Sequence, residues 1–366
     1  MEMTEMLFYK KMHGQMHGRM HRGIHGLATR RLAVMAGGAL VAGVMFASAM
    51  AHAATLNIYS HRQPFLLEPL LEAYKAKYDT DINIVYASKG LVQRLKAEGA
   101  NSPADLILTV DISRISQYAE NDLLQKVNSP TMNASVPARL RDPEGHWFAF
   151  SNRARILVVD KNMPESERPR SYEDLADSRW NGRICTRPGS HVYNRALLAS
   201  IIAAHGEETA LGWTKALVGN LARKPQGNDR AQARAIMEGV CDVAIMNSYY
   251  YGKMLDNPDS PEQKAWADAI TLIFPNQDGR GTHMNISGGG IAKHAPNRAE
   301  ALRFMEFLVS PEAQRIYANV NFEYPVNAEA GPVLQSWGTF RADQLSINEI
   351  ARLAPTAQRL INEAGW

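Results

Sequence analysis

Three catalytic signatures are missing from this 366-residue sequence. There is no Gly-x-Ser-x-Gly elbow, no His-Glu-x-x-His helix and no Gly-x-x-x-x-Gly-Lys loop. Serine-hydrolase, zinc-peptidase and nucleotide-phosphate readings therefore lack their usual anchors. Cysteine is nearly absent, with Cys185 and Cys241 the only two. In an oxidising compartment such a pair invites a disulfide, and two buried free thiols are the alternative, because sequence alone does not fix cysteine geometry. A charge excess is missing as well. Residues 1–53 hold six of the 40 Lys/Arg and two of the 37 Asp/Glu, so the remainder carries 34 basic against 35 acidic side chains. The basic character of the full chain belongs to its N-terminus, and no nucleic-acid or anionic-membrane partner is expected.

That N-terminus reads as an export signal. Arg30-Arg31 precede a weakly hydrophobic Ala/Gly-rich stretch, and Ala51-His52-Ala53 supplies a small-x-small cleavage site. Residues 1–53 are expected to be removed, leaving a chain that starts at Ala54 in the periplasm. A retained anchor is the poorer reading, since the cleavage site follows the short apolar stretch at once. Thr29-Arg30-Arg31-Leu32 is also compatible with twin-arginine export. His13, His17, His21 and His25 recur every four residues. An over-extended start explains them more simply than a metal tract that is discarded with the signal.

The 313 residues that remain exceed one ordinary core, so two lobes are expected. Residues 55–59, 82–86 and 105–110 read as strands, and 65–78 and 91–97 as helices. Such a βαβαβ series predicts a parallel sheet with helices on both faces. Residues 155–160, 241–246 and 270–274 read as further strands, 193–204, 231–238 and 298–308 as helices, and 310–317 as a further series of turns. Each cysteine sits on a short strand-like run leading to a tyrosine segment, so a bridge would staple the two if those strands are neighbours.

The most informative motif is Asn247-Ser248-Tyr249-Tyr250-Tyr251-Gly252, directly after the 241–246 strand. Three consecutive tyrosines are too bulky, and too polar at the tip, for a comfortable core segment. A phenol ionises near pH ~10 in water. A small, hard cation removes that proton at far lower pH, because ligation favours the charged form. Tyrosinate is a good donor to ferric iron. In α/β sheets ligands bind beyond the carboxyl ends of strands, and Tyr193 and Tyr249–Tyr251 fall at such places. A helix starting near Tyr193 or Tyr250 would present its positive end to a phenolate or anion. For any one tyrosine, a hydrogen-bonded cleft aromatic is the ordinary alternative.

The chain resembles the periplasmic ferric-ion-binding proteins of bacterial iron ABC transporters, a transferrin-like branch of the type II solute-binding proteins. The resemblance is carried by Ile58-Tyr59-Ser60-His61-Arg62-Gln63, by 105–111 with Arg114, and by Arg153-Ala154-Arg155-Ile156. It continues through 172–175, Trp180-Asn181-Gly182, Ser190-His191-Val192-Tyr193-Asn194 and the tyrosine motif, and ends with Asn285 to Gly290 and Phe322 to Val326. It implies an α/β, two-lobe periplasmic binding protein type II fold with a strand hinge. Residues 54–150 and 276–326 would form the N-terminal lobe, and 151–275 and 327–366 the C-terminal lobe. Tyr193, Tyr249 and Tyr250 match the metal-ligand positions, while Tyr251 reads as a packing residue. Arg62, Gln63 and Arg153 are the candidates for holding a synergistic anion such as carbonate, a guanidinium suiting a planar oxyanion through paired hydrogen bonds.

Where several relatives carry a His-Tyr pair, this chain has Gln63-Pro64, and proline cannot ligate. It is similar to the subgroup in which three tyrosines bind iron and an anion or water completes the shell. Arg62 and Arg153 could instead be structural, paired with Asp111 or Glu68. His61 reads as a hydrogen-bonded structural histidine, and Asp111 as orienting its loop. The implied protein is a monomer and not an enzyme, handing Fe3+ to an inner-membrane ABC permease. The same fold could carry an organic solute such as a polyamine, thiamine or an organophosphate, aromatic clefts suiting cations. An exported hydrolase is the lesser alternative.

Overall fold

This computed structural model describes residues 54–366. The expected signal peptide and the histidine tract lie outside the described residues. The strands are β1 (Ala54–Ser60), β2 (Thr80–Tyr86), β3 (Leu106–Thr109), β4 (Phe148–Asp160), β5 (Ile184–Cys185), β6 (Val243–Asn247), β7 (Ile270–Ile273), β8 (Met284–Ile291) and β9 (Tyr324–Pro325). β1 pairs in parallel with both β2 and β3, as the βαβαβ pattern predicts. The sheet as a whole is mixed, because β8 runs antiparallel to β3 and to β4.

The long strand β4 explains the departure. Residues 148–154 pair with β8, whereas 155–160 pair antiparallel with β6 and β7. One continuous strand thus links two groups of strands, and β5 completes the second group in parallel with β6. Twelve of the thirteen β4 residues are buried, so it lacks the alternation of a one-sided strand. Its buried polar members Ser151, Asn152, Arg153 and Arg155 must look for partners inside the protein. β8 crosses beside it with three glycines. A Cβ on Gly289 would lie 2.4 Å from the Ile107 carbonyl oxygen, and one on Gly290 2.3 Å from that of His146. Only glycine permits this approach.

The helices start where the local chemistry allows. Pro64 opens Pro64–Lys77 at a position whose N–H would go unused, and its inner side buries Leu66, Leu67, Leu70 and Tyr74. Asp111 caps Ile112–Glu120 by accepting from the Ser113 N–H at 2.9 Å. Helix Ile347–Ala364, which the sequence reading did not assign, runs unbroken through Pro355 and buries Ile347, Ile350, Leu353, Ala357, Leu360 and Ile361. It packs on helices Ile112–Glu120 and Val192–His205, joining the early part of the chain to the tyrosine region. Cys185 and Cys241 form a disulfide, with Cα atoms 5.9 Å apart. Cys241 lies just before β6 rather than within it. No helix among the described residues is long and apolar enough to cross a membrane.

Candidate metal centre

Tyr193 and Tyr249 occupy the same position in their elements: each is the second residue of a helix. Tyr193 opens Val192–His205, where the His191 side chain accepts from the Tyr193 N–H at 3.3 Å. Tyr249 opens Ser248–Leu255 directly after β6. Their hydroxyl oxygens lie 3.4 Å apart, and the Tyr249 and Tyr250 rings stack with centroids 4.2 Å apart. Each phenol thus belongs to the first turn of a helix, the end that carries the positive dipole. Among the described residues no cluster of three His, Cys, Asp or Glu is placed to hold a metal.

Burial corrects one expectation. Tyr249 and Tyr250 are each only 2% exposed and join a core cluster with Leu66, Val110, Met246 and Phe322. Their rings tolerate this because aromatic and cationic surfaces cover them. Gly252 makes room: a Cβ there would sit 2.3 Å from the Phe322 ring. Tyr251 is half-buried and meets Trp337 edge-on at 5.7 Å. Burial foremost, then the neighbouring Tyr193 and Tyr250 phenols, push the Tyr249 hydroxyl well above its ordinary pKa. Burial does the same to Tyr250, with Tyr193 and Asp229 adding to it. Without a cation both phenols keep their protons at neutral pH.

A network that sequence did not disclose surrounds them. Asp229, fully buried, accepts from Arg155 at 2.6 Å, from Arg187 at 3.1 Å and from the Asn247 N–H at 2.8 Å. Arg155 also donates to Asn247 at 3.0 Å and to Asn194 at 2.6 Å. Asn194 follows Tyr193 directly and Asn247 stands two residues before Tyr249, so this network fixes both helix starts against one buried charge. The two flanking guanidiniums, Arg155 ahead of Arg187, hold the Asp229 carboxyl below the usual range against the opposing effect of burial. Arg153, Arg155 and Arg187 lie 5.3, 5.9 and 5.2 Å from the centre of the Tyr193 ring. The alternation Arg153-Ala154-Arg155 in an apolar strand was the one available signal.

The candidate anion residues differ among themselves. Arg62 does not pair with Asp111 or Glu68. It forms a buried ion pair with Glu323 at 2.6 Å and donates to Ser287 at 2.8 Å. Asp111 accepts instead from Ser113 and Asn285. Arg153 is 1% exposed and donates only to Ser287 Oγ at 3.2 Å; its Nε and Nη2 have no protein partner. Gln63 Oε1 is likewise buried and unpaired. His61 is structural, bonded to the Ala87 carbonyl and the Tyr118 hydroxyl. An open cavity of about 690 Å³ adjoins Val192, lined by Lys89, Arg114, Arg187 and Arg195 and by no carboxylate.

Comparison with known proteins places this arrangement. A family model of bacterial extracellular solute-binding proteins matches residues 101–342. The chain belongs to that family. It is 42% identical to iron uptake protein A1 of Synechocystis sp. over 85% of its own length and 87% of the relative's. The crystal structure of apo ferric ion-binding protein A from Pasteurella haemolytica superposes with a TM-score of 0.81 at 43% identity, over 86% of this chain and 98% of that one. A Trichodesmium protein solved in complex with iron and citrate ligands gives 0.79 at 42% identity, over 86% and 100%. The fold is thus the two-lobe type II binding-protein fold, with β4 as a crossing strand. As a member of this family the chain is a binding protein and not an enzyme. Its closely spaced phenols stand at helix starts, beside a buried arginine with two unused nitrogens.

Proposed function

We propose that this protein captures Fe3+ in the periplasm through Tyr193, Tyr249 and Tyr250 and delivers it, as a monomer, to an inner-membrane ABC permease. Residues 54–150 with 276–326 form one lobe and 151–275 with 327–366 the other, closing on the ion. The observation that carries the reading is the convergence of the Tyr193 and Tyr249 hydroxyls, 3.4 Å apart, with Tyr250 stacked alongside. Three phenolates would balance a trivalent cation, and hard oxygen donors disfavour soft metals. Arg153 holds the synergistic anion, carbonate being one that fits, because its unpaired Nε and Nη2 offer two parallel donors. Arg62 stands behind it through Ser287, and the Gln63 carbonyl oxygen accepts from a bound water or protonated anion.

The names of the relatives support iron as the cargo. The electrostatics disfavour a polyamine or thiamine: four cationic side chains line the cavity beside the tyrosines, and none of its lining residues is acidic. Cationic solutes would be repelled there, whereas an anionic ferric chelate would be drawn in. Titration with ferric citrate and bicarbonate, followed by visible absorbance, tests the reading. Phenolate-to-iron charge transfer should colour the wild-type protein. Tyr193→Phe or Tyr249→Phe should weaken or shift the band and lower affinity by at least about 100-fold, beyond the usual cost of losing a residue that only supports a ligand. A colourless wild type would refute it.

A further inference from the structure

Outside the arginine network lies one more guanidinium whose setting the iron site does not require. Arg230 follows Asp229 at the start of helix Asp229–Met237. Its Cζ lies 5.3 Å from the centre of the Tyr250 ring and 5.3 Å from that of Phe65. Its Nε is buried without a hydrogen-bond partner, and it forms no salt bridge. Phe65 belongs to the opposite lobe in the assignment above, directly after Gln63-Pro64, and it meets a second cation: Lys253 Nζ lies 5.7 Å from its ring centre. We propose that Arg230 and Phe65 form the latch of the closed protein, through which ligation of Tyr250 is felt by the other lobe.

A ligand shifts an open–closed equilibrium only by what it contributes differently to the two states. Ligation fixes the Tyr250 ring in one orientation. The guanidinium beside that ring is fixed with it at 5.3 Å from the Phe65 ring centre, and the cation–π contact across the cleft forms at a smaller ordering cost. Opening separates Phe65 from both cations and returns them to water. Closure also brings two positive side chains onto one ring, a repulsion that Asp256 and Glu323 offset in part at Lys253 without forming an ion pair with it. Burial, and next to it Arg230, push Lys253 below the usual lysine range. An unloaded protein therefore gains little by closing, and a loaded one gains the ordered stack.

This inference rests on the iron reading, and the experiment separates the two. The full chain is loaded with ferric citrate and bicarbonate, then mixed with excess of a stronger chelator while the visible band is followed. Phe65→Ala should release iron about tenfold faster with the band maximum unchanged, since Phe65 touches no ligand oxygen. Phe65→Tyr, which keeps the ring, should release as the wild type does. Arg230→Gln should both speed release and shift the band, because the guanidinium lies on a ligand ring. The double variant should be no faster than Arg230→Gln alone. A visible wild-type band with Phe65→Ala releasing at the wild-type rate overturns the latch and leaves the iron site standing, as do rates that multiply independently in the double variant. Should Arg230→Gln fold poorly, Arg230→Lys decides the coupling, since a compact ammonium cannot lie flat on both rings. No band at all refutes the iron site and the latch together.

Discussion

The two arginines two residues apart on β4 have opposite fates. Arg155 donates to Asp229, Asn247 and Asn194, whereas Arg153 donates once, to Ser287, and keeps two buried nitrogens unpaired. Arg155 leaves only its Nε unpaired and belongs to the frame, whereas Arg153 leaves two nitrogens unpaired and would dock the proposed anion. The same contrast separates Arg62, spent on Glu323, from Gln63, whose Oε1 has nothing to accept. One side of the site holds the tyrosines in place, and the other receives.

Breaking the frame should cost the most. Asp229→Ala leaves Arg155 and Arg187 uncompensated in the interior and should destabilise the protein by about 3–5 kcal/mol, read by denaturant or thermal unfolding. Opening the disulfide with Cys185→Ser and Cys241→Ser releases the constraint on a loop spanning a separation of 56 residues, which contains the Tyr193 helix. The expected loss is about 2–4 kcal/mol, with the iron band retained once the protein is folded.

The receiving side responds to pH and anion rather than to stability. Burial raises the Tyr249 and Tyr250 phenols, so in the proposed ligation each would surrender a proton to the metal. Affinity should therefore rise with pH and fall on acidification, about tenfold per pH unit for each proton displaced, with proton release measurable by titration in weak buffer. Arg153→Ala should lower iron affinity by about tenfold and remove its dependence on added bicarbonate, with a thermal midpoint close to wild type. An Arg153→Ala protein as unstable as Asp229→Ala would erase the distinction between the two arginines.

Much of this was legible beforehand. The alternation and periodicity of residues 54–110 predicted three parallel strands and their helices, because those segments bury their faces in local patterns. The tyrosine motif announced itself by adjacency, while Tyr193 needed the family resemblance, being 56 residues from Tyr249. Asp229 and Glu323 were invisible as partners: they stand 74 and 261 residues from the arginines they meet. Nothing local marks a carboxylate for such a role. The burial of Tyr249 and Tyr250 was missed for a related reason, since Arg230 comes from another helix to lie on the Tyr250 ring, and Leu66, Val110 and Phe322 join their cluster from distant segments.

Local residue pattern, read alone, determined the class of fold, the oxygen donors available and the absence of familiar catalytic machinery. Those properties depend on side-chain chemistry and on spacing along the chain. Which cation is neutralised and which is left open was decided only when β4, β6, β8 and the helix carrying Asp229 came together. Electrostatic pairing acts over a few ångströms in space, and two residues of equal charge on one strand acquire their different roles from what the fold sets beside them.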